Sequence, residues 1–322
     1  MSKYTKLFNT QQEYNAYING TPYLPNVSLV KTPKNLSYNE APFIPPILSI
    51  GTVCYYNTAA SHLKFCSVSD YNPANGPAVG VVAVPNNCTP DGSVRILALS
   101  GVTSGGTPAS SENKMTWGKY GTDTGLPNLT SVPTWTNSSG STSGFNSYAY
   151  APSDKFSGQT ACYGNDSVWY YNGINLYVPP ILTTADTPNP DCLVENGSPN
   201  TNCLLDFDGA GNTAVLVGLG SAYTAANACA NYSVDGMETG WYLPACGELV
   251  YILPKFNVLQ SALSGLSGVS LIANYDYWSS SEYSADGARN VTTYTGNVNR
   301  SEKDTALYVR PFAKIELTKD NF

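Results

Sequence analysis

The amino-acid sequence predicts an α+β protein, and three observations carry the prediction. Runs such as "SIGTVCYY", "AVGVVAVP" and "VRILALS" are rich in β-branched residues and punctuated by Gly, Pro, Asn and Asp, the pattern of strands. Only two later segments have helical spacing. The stretch from Tyr277 to Phe312 returns to strand-forming residues, yet many of its positions are Tyr, Asn, Ser, Asp and Thr. A few helices among many strands is the α+β arrangement.

Composition bounds the function. The 322 residues suffice for two average domains or one large β-rich domain with insertions. Only 12% are charged, half the usual quarter, so the surface is polar but weakly charged. The 16 basic and 23 acidic residues give a net charge of -7, the wrong sign for binding phosphate backbones, and no nucleic-acid partner is expected. The opening "MSKYTKLFNTQQEYNAYING" lacks the apolar stretch of a secretory signal, and no run reaches the roughly 18 apolar residues of a membrane helix. Synthesis finishing in a cytosol, without membrane insertion, is the expectation. Eight cysteines at irregular spacing, with no CxxC pair, are expected as reduced, partly buried thiols.

Residues 1–45 contain short β-like pieces broken by Pro and Asn, with too little apolar content for a core of their own. They form either an arm that docks on another subunit or assembly, or an edge hairpin on their own domain. Strands follow from Leu48. An insertion over about 103–202 is rich in Gly, Ser, Thr, Asn and Pro and is expected as ordered surface structure pinned by Trp117, Trp135 and Trp169. "SAYTAANACANY" (221–232) reads as a helix capped by Ser221. The segment 246–266 reads as a second helix, interrupted by Pro254, with Leu249, Ile252, Leu253 and Phe256 on one face. Gly296 and Asn297 are expected as a two-residue hairpin turn. No repeat of fixed period is visible.

Chemistry-bearing patterns are sparse. A single histidine, His62, limits nucleophilic catalysis, and no nucleophile elbow surrounds it. "DFDGAGNT" offers Asp206, Asp208 and Asn212 but lacks the distal Glu of a calcium loop; a turn whose side chains bond their own backbone is expected. Glu248 and Glu282 are a conceivable glycosidase pair. Glu248 is better explained by the positive end of a helix dipole, and Glu282 by bonds to backbone or a neighbouring hydroxyl. Trp241 and Trp278 are expected as core anchors with their indole N–H groups satisfied. No catalytic residue, cofactor or metal is expected.

The order "DFDGAGNTAVLVG", an alanine-rich helix, "GWYLPACGELVYIL", then "YWSSSEYSADGAR", "TGNV" and "YVRPF" resembles the C-type-lectin-fold domain of variable proteins served by diversity-generating retroelements, and related domains of Bacteroidales and their phages. The resemblance is densest from Asp206 to Phe312 and also touches the first strands. It implies a C-type-lectin-like fold over 46–322 with a scaffold of Trp241, Leu243, Pro244, Trp278, Ser279, Ser280, Glu282, Gly296, Val309, Arg310 and Pro311. Between these landmarks it implies an exposed, variable contact face. The candidates are Asn274, Tyr275, Asp276, Tyr277, Tyr283, Ala285, Asp286, Arg289, Asn290, Thr292, Tyr294, Asn297, Asn299, Arg300, Ser301, Glu302, Asp304, Thr305 and Leu307. The Glu-Pro-Asn and Trp-Asn-Asp motifs of calcium-dependent sugar binding do not occur here, so no such site is implied.

The function so implied is non-enzymatic receptor binding or adhesion on a phage or prophage-derived particle, or on a bacterial cell surface. The partner would be a host cell-surface protein or glycan. The chain is expected as a homo-oligomer, meeting other virion proteins through its N-terminal arm. A structural virion decoration or fibre protein, whose polar hairpin is solvated surface, is the alternative.

Overall fold

In the computed structural model the chain divides into two compact units, Met1–Ile44 and Pro45–Phe322. The structure describes residues 43–89, 91–130, 203, 206–253, 256–293 and 298–322, with the backbone of short strands between 134 and 177. The expected N-terminal arm up to residue 42, much of the insertion, the side chains of Trp135 and Trp169, and the turn at Gly296 and Asn297 lie outside the described residues.

The second unit opens with β1 (Val53–Asn57), β2 (His62–Cys66), β3 (Ala78–Val84), β4 (Val94–Ala98), β5 (Gly101–Val102), β6 (Pro108–Ala109) and β7 (Lys114–Thr116). The insertion carries β8 (Thr134–Thr136), β9 (Thr142–Gly144), β10 (Ala161–Tyr163), β11 (Trp169–Tyr171) and β12 (Ile174–Tyr177). Next come α1 (Gly209–Gly218), α2 (Thr224–Ala230), β13 (Trp241–Tyr242), α3 (Cys246–Ile252) and α4 (Phe256–Ser264). The chain then runs through β14 (Asp276–Glu282), β15 (Gly287–Thr292), β16 (Val298–Glu302), β17 (Ala306–Tyr308) and β18 (Phe312–Ile315). The fold is mixed α+β, as the sequence predicts.

An antiparallel sheet of order β13-β18-β4-β3-β1-β2 forms the centre. Val53, Val81, Leu97 and Phe312 pack on the α3 and α4 side. Cys54, Val82, Ile96 and Ala313 pack on the opposite side with α2, Trp117 and Trp241. Burial of both faces explains why "AVGVVAV" is a continuous apolar run rather than an alternating one, and why "VRILA" is apolar on both faces apart from Arg95. Each such side chain contributes about 1.5–3 kcal/mol by leaving water.

Two helical expectations are corrected. Residues 206–213 do not end in a turn: Asp208 caps α1, its Oδ1 accepting the Gly211 N–H at 3.0 Å. The side-chain-to-backbone bonds expected of a turn are present, but they start a helix. Gly209 is required by close approach, since a Cβ there would stand 2.4 Å from Glu248 Oε2. The alanine-rich helix starts at Thr224 rather than after Ser221, because Tyr223 is buried edge-on against Trp117 at 5.9 Å, before the first turn. The segment 246–266 is two helices, α3 and α4, separated between Ile252 and Phe256, in keeping with the interruption expected at Pro254, which has no N–H to continue a helix.

Candidate functional site

The described residues of the expected scaffold are buried. The Trp241 indole N–H donates to Met237 O at 3.0 Å and that of Trp278 to Met115 O at 2.9 Å. Trp117, expected to pin the insertion, is fully buried, with its N–H on Ser279 O at 2.7 Å. This scaffold carries a sheet of order β16-β15-β14-β17-β7, in which only β14 and β17 run parallel.

Register decides where the candidate contact residues go. Asp276 opposes Thr292, Asn290 opposes Asn299, and Arg289 opposes Arg300. Directly opposed residues share a face and successive residues alternate, so the candidates are divided between two faces rather than gathered on one. Tyr277, Arg289, Arg300 and Glu302 lie on the first; Asp276, Asn290, Thr292, Asn299 and Ser301 lie on the second.

The second face bonds largely to itself. Thr292 Oγ1 donates to Asp276 Oδ1 and accepts from Asn299 Nδ2 at 3.1 Å, while Asn290 Nδ2 donates to Ser301 Oγ at 2.9 Å. Asn290 and Thr292 are 1% and 3% exposed, against the expectation of exposure, because neighbouring strands flank β15 on both sides. Asn299 is exposed, and Asp276 and Ser301 are half-buried.

On the first face β7, β17 and β14 bring together three side chains distant in sequence. Tyr275, 51% exposed, stacks on Tyr308 with centroids 4.7 Å apart and planes at 17°. Lys114 Nζ stands 5.8 Å and 5.1 Å from the two ring centres, within cation–π range. Thr293 fixes the Tyr275 backbone, its Oγ1 accepting the Tyr275 N–H at 3.1 Å and its N–H donating to Tyr275 O at 3.0 Å. Tyr277, expected as a contact residue, is the buried floor of this cluster: it donates to Glu112 and packs against Tyr308. Arg310 Nη1 holds Glu112 at 2.6 Å and its Nε donates to Ala98 O at 2.9 Å. Burial, then the Glu112 charge, pushes the Tyr277 hydroxyl well above its ordinary pKa. Burial also raises Glu112, against the opposing Arg310 charge.

Sequence reasoning missed Lys114 and Tyr308. Tyr308 adjoins the "YVRPF" landmark, whereas no local signal marks Lys114, whose place depends on the β7–β17 pairing.

Arg289 is the fourth buried candidate, 4% exposed, with its Nε on Leu129 O at 2.8 Å. It is drawn under the surface because its strand position faces the core that contains Val291 and Val298. Its guanidinium lies 4.7 Å from the Tyr283 ring centre, and that of the exposed Arg300 lies 5.2 Å from the same ring. Asn274, Glu302, Asp304 and Thr305 are exposed; Ala285, Asp286 and Leu307 are half-buried. Tyr294 and Asn297 lie outside the described residues.

The two carboxylates considered for catalysis sit in separate networks. Glu282 pairs with Lys303 and accepts the Thr124 hydroxyl at 2.6 Å. Glu248 Oε1 accepts Arg95 Nε at 2.8 Å and the Tyr242 hydroxyl at 2.9 Å, and its Oε2 accepts the Ala245 N–H at 2.8 Å. Burial pushes Glu248 up to about 7, against the Arg95 charge and these bonds. Glu248 also lines a cleft of about 360 Å³ with Asp91, Arg95, Asp206, Tyr242 and Lys314. Partial burial works against the Asp91 charge, yet hydrogen bonds from Lys314, Ser93 and Arg95 hold its carboxyl well below the usual range. His62 is half-buried in β2, and Cys54, Cys66, Cys203, Cys229 and Cys246 carry free thiols. Among the described residues no group of three or more His, Cys, Asp or Glu is placed to hold a metal, and no helix is long and apolar enough to cross a membrane.

No family model and no curated protein matches the chain. Among solved structures it is similar to a fimbrial protein from Bacteroides ovatus ATCC 8483, at 18% identity and a TM-score of 0.40, over 82% of this chain and 48% of that one. The chain thus spans about half that protein's length. A likeness of this size assigns neither a fold family nor a function.

Proposed function

We propose that the chain is a non-enzymatic ligand-binding protein of the adhesion class, whose second unit is C-type-lectin-like and presents a contact face from β14 to β17. The Tyr275–Tyr308–Lys114 cluster carries the reading: two stacked rings, one of them half exposed, with a cation beside them and a buried, hydrogen-bonded floor beneath. Tyrosine supplies large contact area at low entropic cost, and a floor already ordered leaves little to be ordered on binding. Glu248 and Glu282 serve the fold's own hydrogen bonds, which favours binding over hydrolysis.

The partner is a host cell-surface protein or glycan. Display on a phage or prophage-derived particle rests on the resemblance of the sequence landmarks. Homo-oligomers mounted through the N-terminal arm would raise modest single-site affinity through effective concentration.

Titration of the purified full-length chain, alone and multimerised, onto host cells tests the proposal. Saturable binding that falls at least tenfold in a Tyr275→Ala, Lys114→Ala variant is expected. Absence of saturable binding even by multimers overturns it.

A second reading, a structural decoration or fibre protein, draws on the self-satisfied face of Asn290, Thr292, Asn299 and Ser301. It predicts that the same variant changes particle attachment not at all.

A further inference from the structure

Arg289 and Arg300 stand directly opposite each other on paired strands. Like charges in that relation repel, and native sheets place opposite charges there. Here both guanidiniums pack on one ring, Tyr283. Among the described residues, neither has a carboxylate within ion-pair distance. Arg289 Nη2 is buried and makes no hydrogen bond. The other buried cations differ: Arg95, Lys303 and Arg310 each meet a glutamate. An unpaired buried donor on a charged group costs more than a satisfied one gains, so this arrangement lacks a counter-ion.

We infer that Arg289 and Arg300, with Tyr283 as the ring that aligns them, form a subsite for an oxyanion, a carboxylate or sulfate, carried by an acidic glycan. The inference rests on the proposed binding face and names the ligand class for one part of it. Two guanidinium forks present paired donors to a planar or tetrahedral oxyanion, which a single lysine does not. Arg300 is exposed and meets the anion first. Arg289 Nη2 is buried, and the Tyr283 ring lies 4.7 Å from its guanidinium, so direct contact of an anion with Arg289 requires the side chains around it to move. The overall charge of -7 disfavours non-specific attraction of polyanions, which makes the test selective.

The experiment uses the full-length chain with three soluble probes: an oligogalacturonate for carboxylate, a dextran sulfate oligomer for sulfate, and neutral dextran. Calorimetric binding to at least one acidic probe, none to dextran, and a loss of at least tenfold in Arg300→Gln are expected. Arg300→Glu separates recognition from structure, because it pairs Arg289 across the strands: binding is lost while Tm rises. Failure of both acidic probes to bind, or binding unchanged in both variants, overturns the inference. Saturable attachment to cells that survives Arg300→Glu removes the subsite and leaves the adhesion reading standing. Acidic-probe binding without any cell attachment does the reverse.

Discussion

Lys303 and Glu282 form an ion pair in which neither side chain has exposed surface. Lys303 also donates to Thr122 O at 2.6 Å and lies 5.0 Å from the Trp117 ring centre, so one cation ties the segment 117–124 to the end of β14. The pair therefore couples the start of the insertion to the strands that carry the contact face.

Breaking the pair from one side leaves a buried charge without its partner. Lys303→Met is expected to destabilise the fold by about 3–5 kcal/mol, and the double variant with Glu282→Gln by clearly less than the sum of the singles. Urea unfolding of the four-protein cycle checks this.

Tyr275 and Tyr277 are two positions apart and separate contact from support. Tyr275→Ala is expected to leave stability within about 0.5 kcal/mol and to weaken ligand binding about tenfold or more. Tyr277→Phe removes the buried bond to Glu112 and is expected to cost about 1–3 kcal/mol of stability while ligand contact by the Tyr275 ring persists. Parallel denaturation and cell-binding titrations distinguish the two.

Glu248 makes stability depend on pH. Its folded pKa of about 7 lies above its ordinary value of 4.5, so the folded state holds a proton that the unfolded chain releases. Stability from this group is full below about 4.5 and falls by up to about 1.4 kcal/mol per pH unit towards 7. Asp91 has the opposite sign: its lowered pKa contributes stability above the usual carboxylate range, lost as pH falls below that range. Glu248→Gln is expected to flatten the decline between pH 4.5 and 7 while keeping the acid loss, as read by Tm against pH.

If the face is diversified as the sequence resemblance implies, natural variants should follow burial. Deep sequencing of codons 274–310 is expected to find substitutions confined to adenines, with Tyr275, Asn299, Arg300 and Asp304 varying and Tyr277, Asn290 and Thr292 constrained. A uniform region would instead indicate fixed specificity.

The sequence alone determined the α+β class, the strands around Val53, Val81 and Ile96, and the core roles of Trp241 and Trp278. Each follows from local composition or from the need of a buried indole for an acceptor. It also assigned Glu248 to the first turn of a helix, where the backbone N–H groups are free. Helix α1 stayed hidden because Asp206, Asp208, Gly209 and Gly211 favour turns locally, and only the neighbouring Glu248 explains why a glycine is needed at 209. Tertiary structure decided the site. Strand alternation placed Arg289 and Asn290 on opposite faces, and the distant pairings of β7 with β17 and β17 with β14 brought Lys114 to Tyr275 and Tyr308. Residue types reveal which side chains are suited to contact, but exposure depends on register, and register depends on non-local partners that a single sequence does not display.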